Sequence, residues 1–194
     1  MYKEYLININ EFRDGDKLKD AVENASPFRL EKYNAYKNEI VKFESIAGAY
    51  LIDTYLKTLG LCEKDMEYEL TKAGKPYFKN KKDIKFNISH SDGLVYAVFS
   101  DKEIGCDIQV VRESVKEIYN RVLSDKEKEE VVSILDENKQ KEKFIEYWVK
   151  KEAYVKCIGT GISDDMTKIH VEDINAKRYE DNGKIYYIAV CESL

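Results

Sequence analysis

The chain has 194 residues, 43% of them hydrophobic and spread along its whole length, enough for one generous domain or two small ones sharing a core and too many for a disordered tail. With 32 Lys plus Arg against 37 Asp plus Glu, the net charge of −5 opposes non-specific nucleic-acid binding. Cys62, Cys106, Cys157 and Cys191 lie far apart with only two histidines to help them bind a metal, no apolar run nears the ~18 residues of a membrane span, and no signal core opens the chain. A cytoplasmic protein with reduced thiols, bound to neither membrane nor nucleic acid, is expected.

In chain order, YLINI is expected to open a strand that ends at the turn pair Asp14-Gly15. From Ser26-Pro27 to Gly60, one broken helix or two is expected, with Tyr33, Tyr36, Ile40, Phe43, Ile46, Ala47, Tyr50, Leu51 and Tyr55 spaced by three and four. AGKPYF reads as a loop. KFNISH, LVYAVFS and EIGCDIQVV then read as an antiparallel meander with turns at Ser91-Asp92-Gly93 and Asp101-Lys102. Ser124 and Glu127 form a capping box, another helix should run from about Glu142 to Ile158, and IHVEDI with KIYYIAV should close the chain as a hairpin around Asp181-Asn182-Gly183. The order of elements predicts an α+β (α/β) fold of two similar halves, residues 1–103 and 104–194.

Four groups of residues carry candidate chemistry. On the strand IGCDIQVV, period two puts Ile104, Cys106, Ile108 and Val110 on one face and Gly105, Asp107, Gln109 and Val111 on the other. Asp107 and Gln109 offer adjacent oxygens that suit a hard cation such as Mg²⁺, or else simply meet water. In FIEYWVKKEAYVKCIG, Trp148, Glu152 and Lys156 fall at i, i+4 and i+8 on the side of Ile145, Val149 and Val155. Charges on an apolar stripe need a partner or a metal, although a surface Glu-Lys pair has the same spacing. Finally, Ser89, His90 and Ser91 gather hydroxyls and an imidazole at a turn, and Arg29 with Lys32 forms a basic pair one helical turn apart; either group is half a phosphate site or a solvated face.

Together GKP (Gly74–Pro76), FNISHS (Phe86–Ser91), IGCDIQ (Ile104–Gln109) and W-x-x-K-E-A-x-x-K (Trp148–Lys156) resemble the Sfp-type 4′-phosphopantetheinyl transferases in order and spacing. The resemblance implies a pseudo-symmetric two-half fold, a monomer, that moves phosphopantetheine from coenzyme A to a serine of an apo acyl or peptidyl carrier protein. It implies that Asp107 and Glu152 hold Mg²⁺, with Gln109 giving a neutral ligand or a water. Lys156 would meet the diphosphate and the leaving 3′,5′-ADP, His90 a phosphate, and Arg29, Lys32 and Ser45 the 3′-phosphate. Lys75 with Gly74 would line the adenine pocket, with Pro76 and Ser89 among the coenzyme contacts. Glu152 is the candidate base.

Two residues depart from the family pattern. Gln109 stands where an acid is frequent, and Glu44 stands where arginine is usual, which should repel a phosphate unless Lys42 compensates. The carrier is expected to dock on a largely apolar segment, residues 111–123, rimmed by Arg112 and Arg121, unless those apolar residues only close the core. The alternatives are a one-metal nuclease, opposed by the acidic balance, and a carrier-binding module without turnover.

Overall fold

The structure is a computed structural model and describes residues 2–13, 15–112, 116–161 and 165–193. Strand β1 (Lys3–Asn8) leads into a 3-10 turn and helix α1 (Asp16–Glu23). The sequence reading did not mark α1 as a separate helix, since only Ala21 is fully buried on it and the apolar repeat is short. Asp14 of the expected turn pair lies outside the described residues. The long periodic stretch resolves into two helices, α2 (Pro27–Ala35) and α3 (Glu39–Lys57), because Asn38 caps a new start by accepting the Val41 N–H. That break moves Tyr36 and Ile40 off the buried stripe; they are 40% and 53% exposed.

Around the Gly74 loop, β2 (Tyr68–Leu70) pairs with β3 (Pro76–Phe78), so AGKPYF ends in a hairpin arm rather than staying a loop throughout. Next, β4 (Lys85–Ser91) and β5 (Leu94–Ser100) are joined by Asp92 (φ 50°) and Gly93 (φ 84°), the two left-handed residues that a tight hairpin needs. The first sheet has the order β1-β5-β4, antiparallel throughout.

The expected meander is not formed. Strand β6 (Ile104–Val110) leaves this sheet and edges a second one, β6-β8-β7, with β7 (Ala176–Asp181) and β8 (Lys184–Glu192) joined at Asn182-Gly183. The closing hairpin thus exists, but its first arm is AKRYED; IHVEDI forms no strand, and its Ile169 and Val171 are buried in the core beneath the last long helix. The reason for the departure is that all of β5 is buried, so it has two faces to cover. Val95, Ala97 and Phe99 pack under α3, while Leu94, Tyr96 and Val98 pack against Ile104, Cys106 and Ile108 of β6 and Tyr186 and Ile188 of β8. Stacking the second sheet face-on satisfies both; lateral extension would not.

Helices α4 (Tyr119–Val122), α5 (Asp125–Ser133) and α6 (Glu137–Ile158) complete the fold. Ser124 and Glu127 make the expected capping box of α5. Helix α6 begins at Glu137 rather than Glu142, because Asp136 caps it, and it ends at Gly159 in the left-handed conformation. The wholly buried Lys151 donates to the carbonyls of Val122 (2.8 Å) and Met166 (2.9 Å) and pairs with Glu127 (2.6 Å), tying α4 and α5 to α6. From front to back the layers are α3, first sheet, second sheet, α6.

Candidate active site

Where the two sheets stack, β6 lies against the face of β4 without a backbone ladder. Their bonds run through the alternate side chains of FNISHS. The Cys106 N–H donates to Asn87 Oδ1 (2.9 Å), the Val110 N–H donates to Ser91 Oγ (3.1 Å), and Ser89 Oγ donates to Asp107 Oδ1 (2.6 Å). Behind β6, α6 comes so close to Gly105 that a Cβ there would sit 2.2 Å from the Ala153 carbonyl oxygen. This contact brings Lys156 of α6 to Asp107 of β6: Nζ donates to Oδ1 at 2.6 Å and lies 3.2 Å from Ser89 Oγ.

Asp107 is 5% exposed, and its second oxygen, Oδ2, is buried without a hydrogen-bond partner. Glu152, one turn before Lys156, is 6% exposed and 4.0 Å from the ammonium. Burial pushes the Glu152 carboxyl pKa up, with Asp107 adding to the shift and Lys156 opposing it. Burial works against the Lys156 ammonium, yet the Asp107 carboxylate, helped by Cys106 and Glu152, holds its pKa above the usual lysine value. An orphaned carboxylate oxygen is costly unless a cation or donor meets it. Among the described residues no three His, Cys, Asp or Glu side chains form a metal cage. Two carboxylates, one with a free buried oxygen, nevertheless fit Mg²⁺, which binds through one or two carboxylates and completes its shell with waters and substrate phosphates. Gln109 shares the Asp107 face by period, is half-buried, and makes only a long 3.5 Å contact to the Val110 carbonyl.

Two clefts open beside this cluster and share Pro76 and Asn87 in their walls. The first, about 210 Å³, is lined by Arg29, Lys32, Ser45 and His90. The second, about 340 Å³, is lined by Gly74, Lys75, Glu152, Val155, Lys156 and Gly159. Of the residues assigned from the sequence to coenzyme contacts, all but Ser89 line one of these two adjoining clefts; Ser89 is buried behind them, bonded to Asp107. Arg29 is 8% exposed, with Nε and Nη2 buried and unpartnered. Burial and the neighbouring Arg29 hold the Lys32 pKa below its usual value, a tension that a bound anion relieves.

Several expectations change in detail. The Lys75 ammonium reaches back to the Ile104 carbonyl (2.9 Å) and Glu103 (3.3 Å), so its stem rather than a free charge faces the cleft. Glu44 stays in the wall of the first cleft, as expected, but is engaged there, 3.0 Å from His90 Nδ1 and accepting the Gly93 N–H at 3.3 Å. Lys42 sits over the Tyr33 ring, 4.9 Å from its centroid, and does not line the cleft. Of the expected docking segment, residues 113–115 lie outside the described residues, and Tyr119, Val122 and Leu123 are buried in the core under α6. Those apolar residues close the core and are not a contact surface. Asn87, which walls both clefts, was missed as a site residue, although its place two residues before Ser89 puts it on the same face.

Residues 103–190 match the family model of the 4′-phosphopantetheinyl transferase superfamily. The 4′-phosphopantetheinyl transferase gsp of Aneurinibacillus migulanus is 31% identical over 140 residues, covering 72% of this chain and 58% of that protein. The 4′-phosphopantetheinyl transferase Sfp of Bacillus subtilis is 28% identical over 184 residues, covering 86% of this chain and 81% of its own. An L-aminoadipate-semialdehyde dehydrogenase-phosphopantetheinyl transferase of Candida glabrata is 25% identical over 181 residues, 88% of this chain and 68% of its own. The model's span begins just before β6 and carries Asp107, Glu152 and Lys156, and the longer relatives extend the likeness over the first sheet. The chain belongs to the 4′-phosphopantetheinyl transferase superfamily and is of the Sfp type.

Proposed function

We propose that this chain transfers the 4′-phosphopantetheine group of coenzyme A to a serine of an apo acyl or peptidyl carrier protein, with Mg²⁺, releasing 3′,5′-ADP. The observation that carries the reading is the Asp107–Lys156–Ser89 cluster, its Asp107 and Ser89 buried and its Lys156 half-buried, with a free carboxylate oxygen and Glu152 beside it, at the wall between two clefts. Asp107 and Glu152 would hold the cation, with Gln109 as a neutral neighbour. When bound, Mg²⁺ supplies positive charge against the diphosphate.

The chain's own residues do the remainder. Lys156, kept charged by Asp107, stabilises negative charge on the leaving 3′,5′-ADP. The carrier serine oxygen bonds to the β-phosphorus as the bond from that phosphorus to the bridging oxygen breaks, and the serine proton passes to Glu152, directly or through water. Burial makes that carboxylate a stronger proton acceptor than a solvated one. Arg29, Lys32, Ser45 and His90 face the 3′-phosphate, and Gly74, Lys75 and Pro76 face the adenine. Residues 1–103 thus supply the coenzyme side and 104–194 the reacting centre, joined in one monomer. The four unpaired cysteines suit a reducing cytoplasm.

The test is to incubate the protein with coenzyme A, Mg²⁺ and an apo carrier and to weigh the carrier by mass spectrometry. A single phosphopantetheine adduct is expected. Carrier bound without an adduct would mean a module without turnover, and cleavage of added DNA without an adduct would mean a nuclease.

A further inference from the structure

Glu63 sits among the charges of CEKD. In the fold it is 0% exposed. Its carboxylate accepts the Ser26 N–H, the Ser26 Oγ–H (2.9 Å) and the Tyr68 O–H (2.6 Å), and its own N–H donates to Asp53 Oδ1 at 3.0 Å. Ser26 caps α2, the helix that carries Arg29 and Lys32 into the first cleft. The Arg29 guanidinium lies 5.1 Å from the Tyr68 ring centroid, and Phe28 stacks on that ring at 4.7 Å.

The decisive distance is the one from Arg29 Nε to Glu63 Oε1, 4.0 Å. It is short enough for charge to act and too long for a hydrogen bond. An arginine buried beside a carboxylate normally forms a two-pronged pair that uses up its N–H groups. Here the Ser26 and Tyr68 hydroxyls already take both lone pairs of Oε1, the oxygen nearest Arg29, so Arg29 Nε and Nη2 stay unpartnered while their charge is balanced. We propose that Glu63 is a positioning residue that offsets the charge of Arg29 without drawing it into a two-pronged pair, leaving the guanidinium at the wall of the first cleft to turn to a phosphate there. The inference rests on the coenzyme A reading above and adds how Arg29 is held ready for the 3′-phosphate.

The test compares kcat/KM for coenzyme A and for 3′-dephospho-coenzyme A in the parent, Glu63→Gln, Arg29→Ala and the double variant. The parent should prefer coenzyme A by about 10- to 100-fold, the span of one charge-assisted hydrogen bond. Glu63→Gln should cut that preference about tenfold, with the loss falling on KM for coenzyme A, and the double variant should be no worse than Arg29→Ala. Tyr68→Phe, which keeps the ring and the Glu63 charge but frees Oε1 to bind Nε–H, should cut it as well; it decides the matter if Glu63→Gln does not fold. An unchanged preference, equal losses with both donors, or additive losses in the double variant would each overturn the role of Glu63. A preference that Arg29→Ala leaves untouched would instead overturn the 3′-phosphate assignment itself, and the inference with it.

Discussion

Gly105→Ala tests the contact that assembles the reacting centre. An alanine Cβ there would lie 2.2 Å from the Ala153 carbonyl oxygen, 2.2 Å from the Cys157 amide nitrogen and 2.7 Å from the Lys156 carbonyl carbon, against an ordinary contact of 3.4 Å or more. All three neighbours are backbone, so no side chain can swing aside, and α6 must part from β6 by about 1 Å. The Lys156–Asp107 bond, 2.6 Å long, crosses that seam and would stretch out of hydrogen-bond range. Overpacking costs about 1–3 kcal/mol, and the upper end applies to rigid neighbours. At roughly 2–4 °C per kcal/mol for a chain of this size, Tm should fall by roughly 6–12 °C. A displacement of this size at reacting groups costs ~10²-fold in rate. Thermal unfolding and a carrier-modification assay on the same preparation measure both. Gly48→Ala is the control, since its Cβ would meet only the end of the Ile88 side chain, at 3.3 Å, and should leave Tm nearly unchanged. A Gly105→Ala protein that keeps the parent Tm and rate would refute the reasoning.

Other outcomes follow from the same centre. Burial raises the folded pKa of Glu152, so the folded chain binds that proton more tightly than the unfolded one. Stability is therefore lost as pH rises from the ordinary carboxylate value through the folded value, and the full penalty stands above it. Glu152→Gln should then raise the Tm of the metal-free protein at about pH 8 and lose that advantage near pH 4, where both states are protonated; equal Tm values at the higher pH would contradict this. Gln109→Glu should lower the Mg²⁺ concentration for half-maximal transfer, because hard cations favour charged oxygens; an unchanged or higher requirement would mean that Gln109 faces away from the ion.

The side chains that the structure gathers around Asp107 were legible because residue type and spacing mark them. Period two put Asp107 on the face opposite Ile104, Cys106 and Ile108, and those three residues do pack into the core between the sheets. Period 3.6 set Glu152 and Lys156 one turn apart, and Asp107 answers the charges they bring to an apolar helix. Partners across the fold were not legible. Alternation states which residues share a face but not which strand lies beside it, so β6 was expected next to β5 although β5 needs it stacked on its second face. For the same reason Asn87 and Ser91 did not stand out, since their work is to bind the backbone of a strand from another sheet. Tyr119 and Val122 illustrate the opposite error: apolar residues in a short helix between charges suggest a docking patch, and only packing against Phe144 and its neighbours reveals core. The IHVEDI segment has strand-like composition, yet its Ile169 and Val171 are buried without forming a ladder.

The central claim is that Asp107 serves the reaction, and not only the fold, by gathering Lys156, Ser89 and the metal at one point. Its most direct test is the mass of an apo carrier after incubation with coenzyme A, Mg²⁺ and either the parent or Asp107→Ala, with coenzyme A binding followed calorimetrically on both proteins. The account predicts complete conversion of the carrier by the parent, a rate lower by ~10²-fold or more in a variant that remains folded, and coenzyme A still bound through the first cleft. Parent-like conversion by Asp107→Ala at the same Mg²⁺ concentration would contradict it.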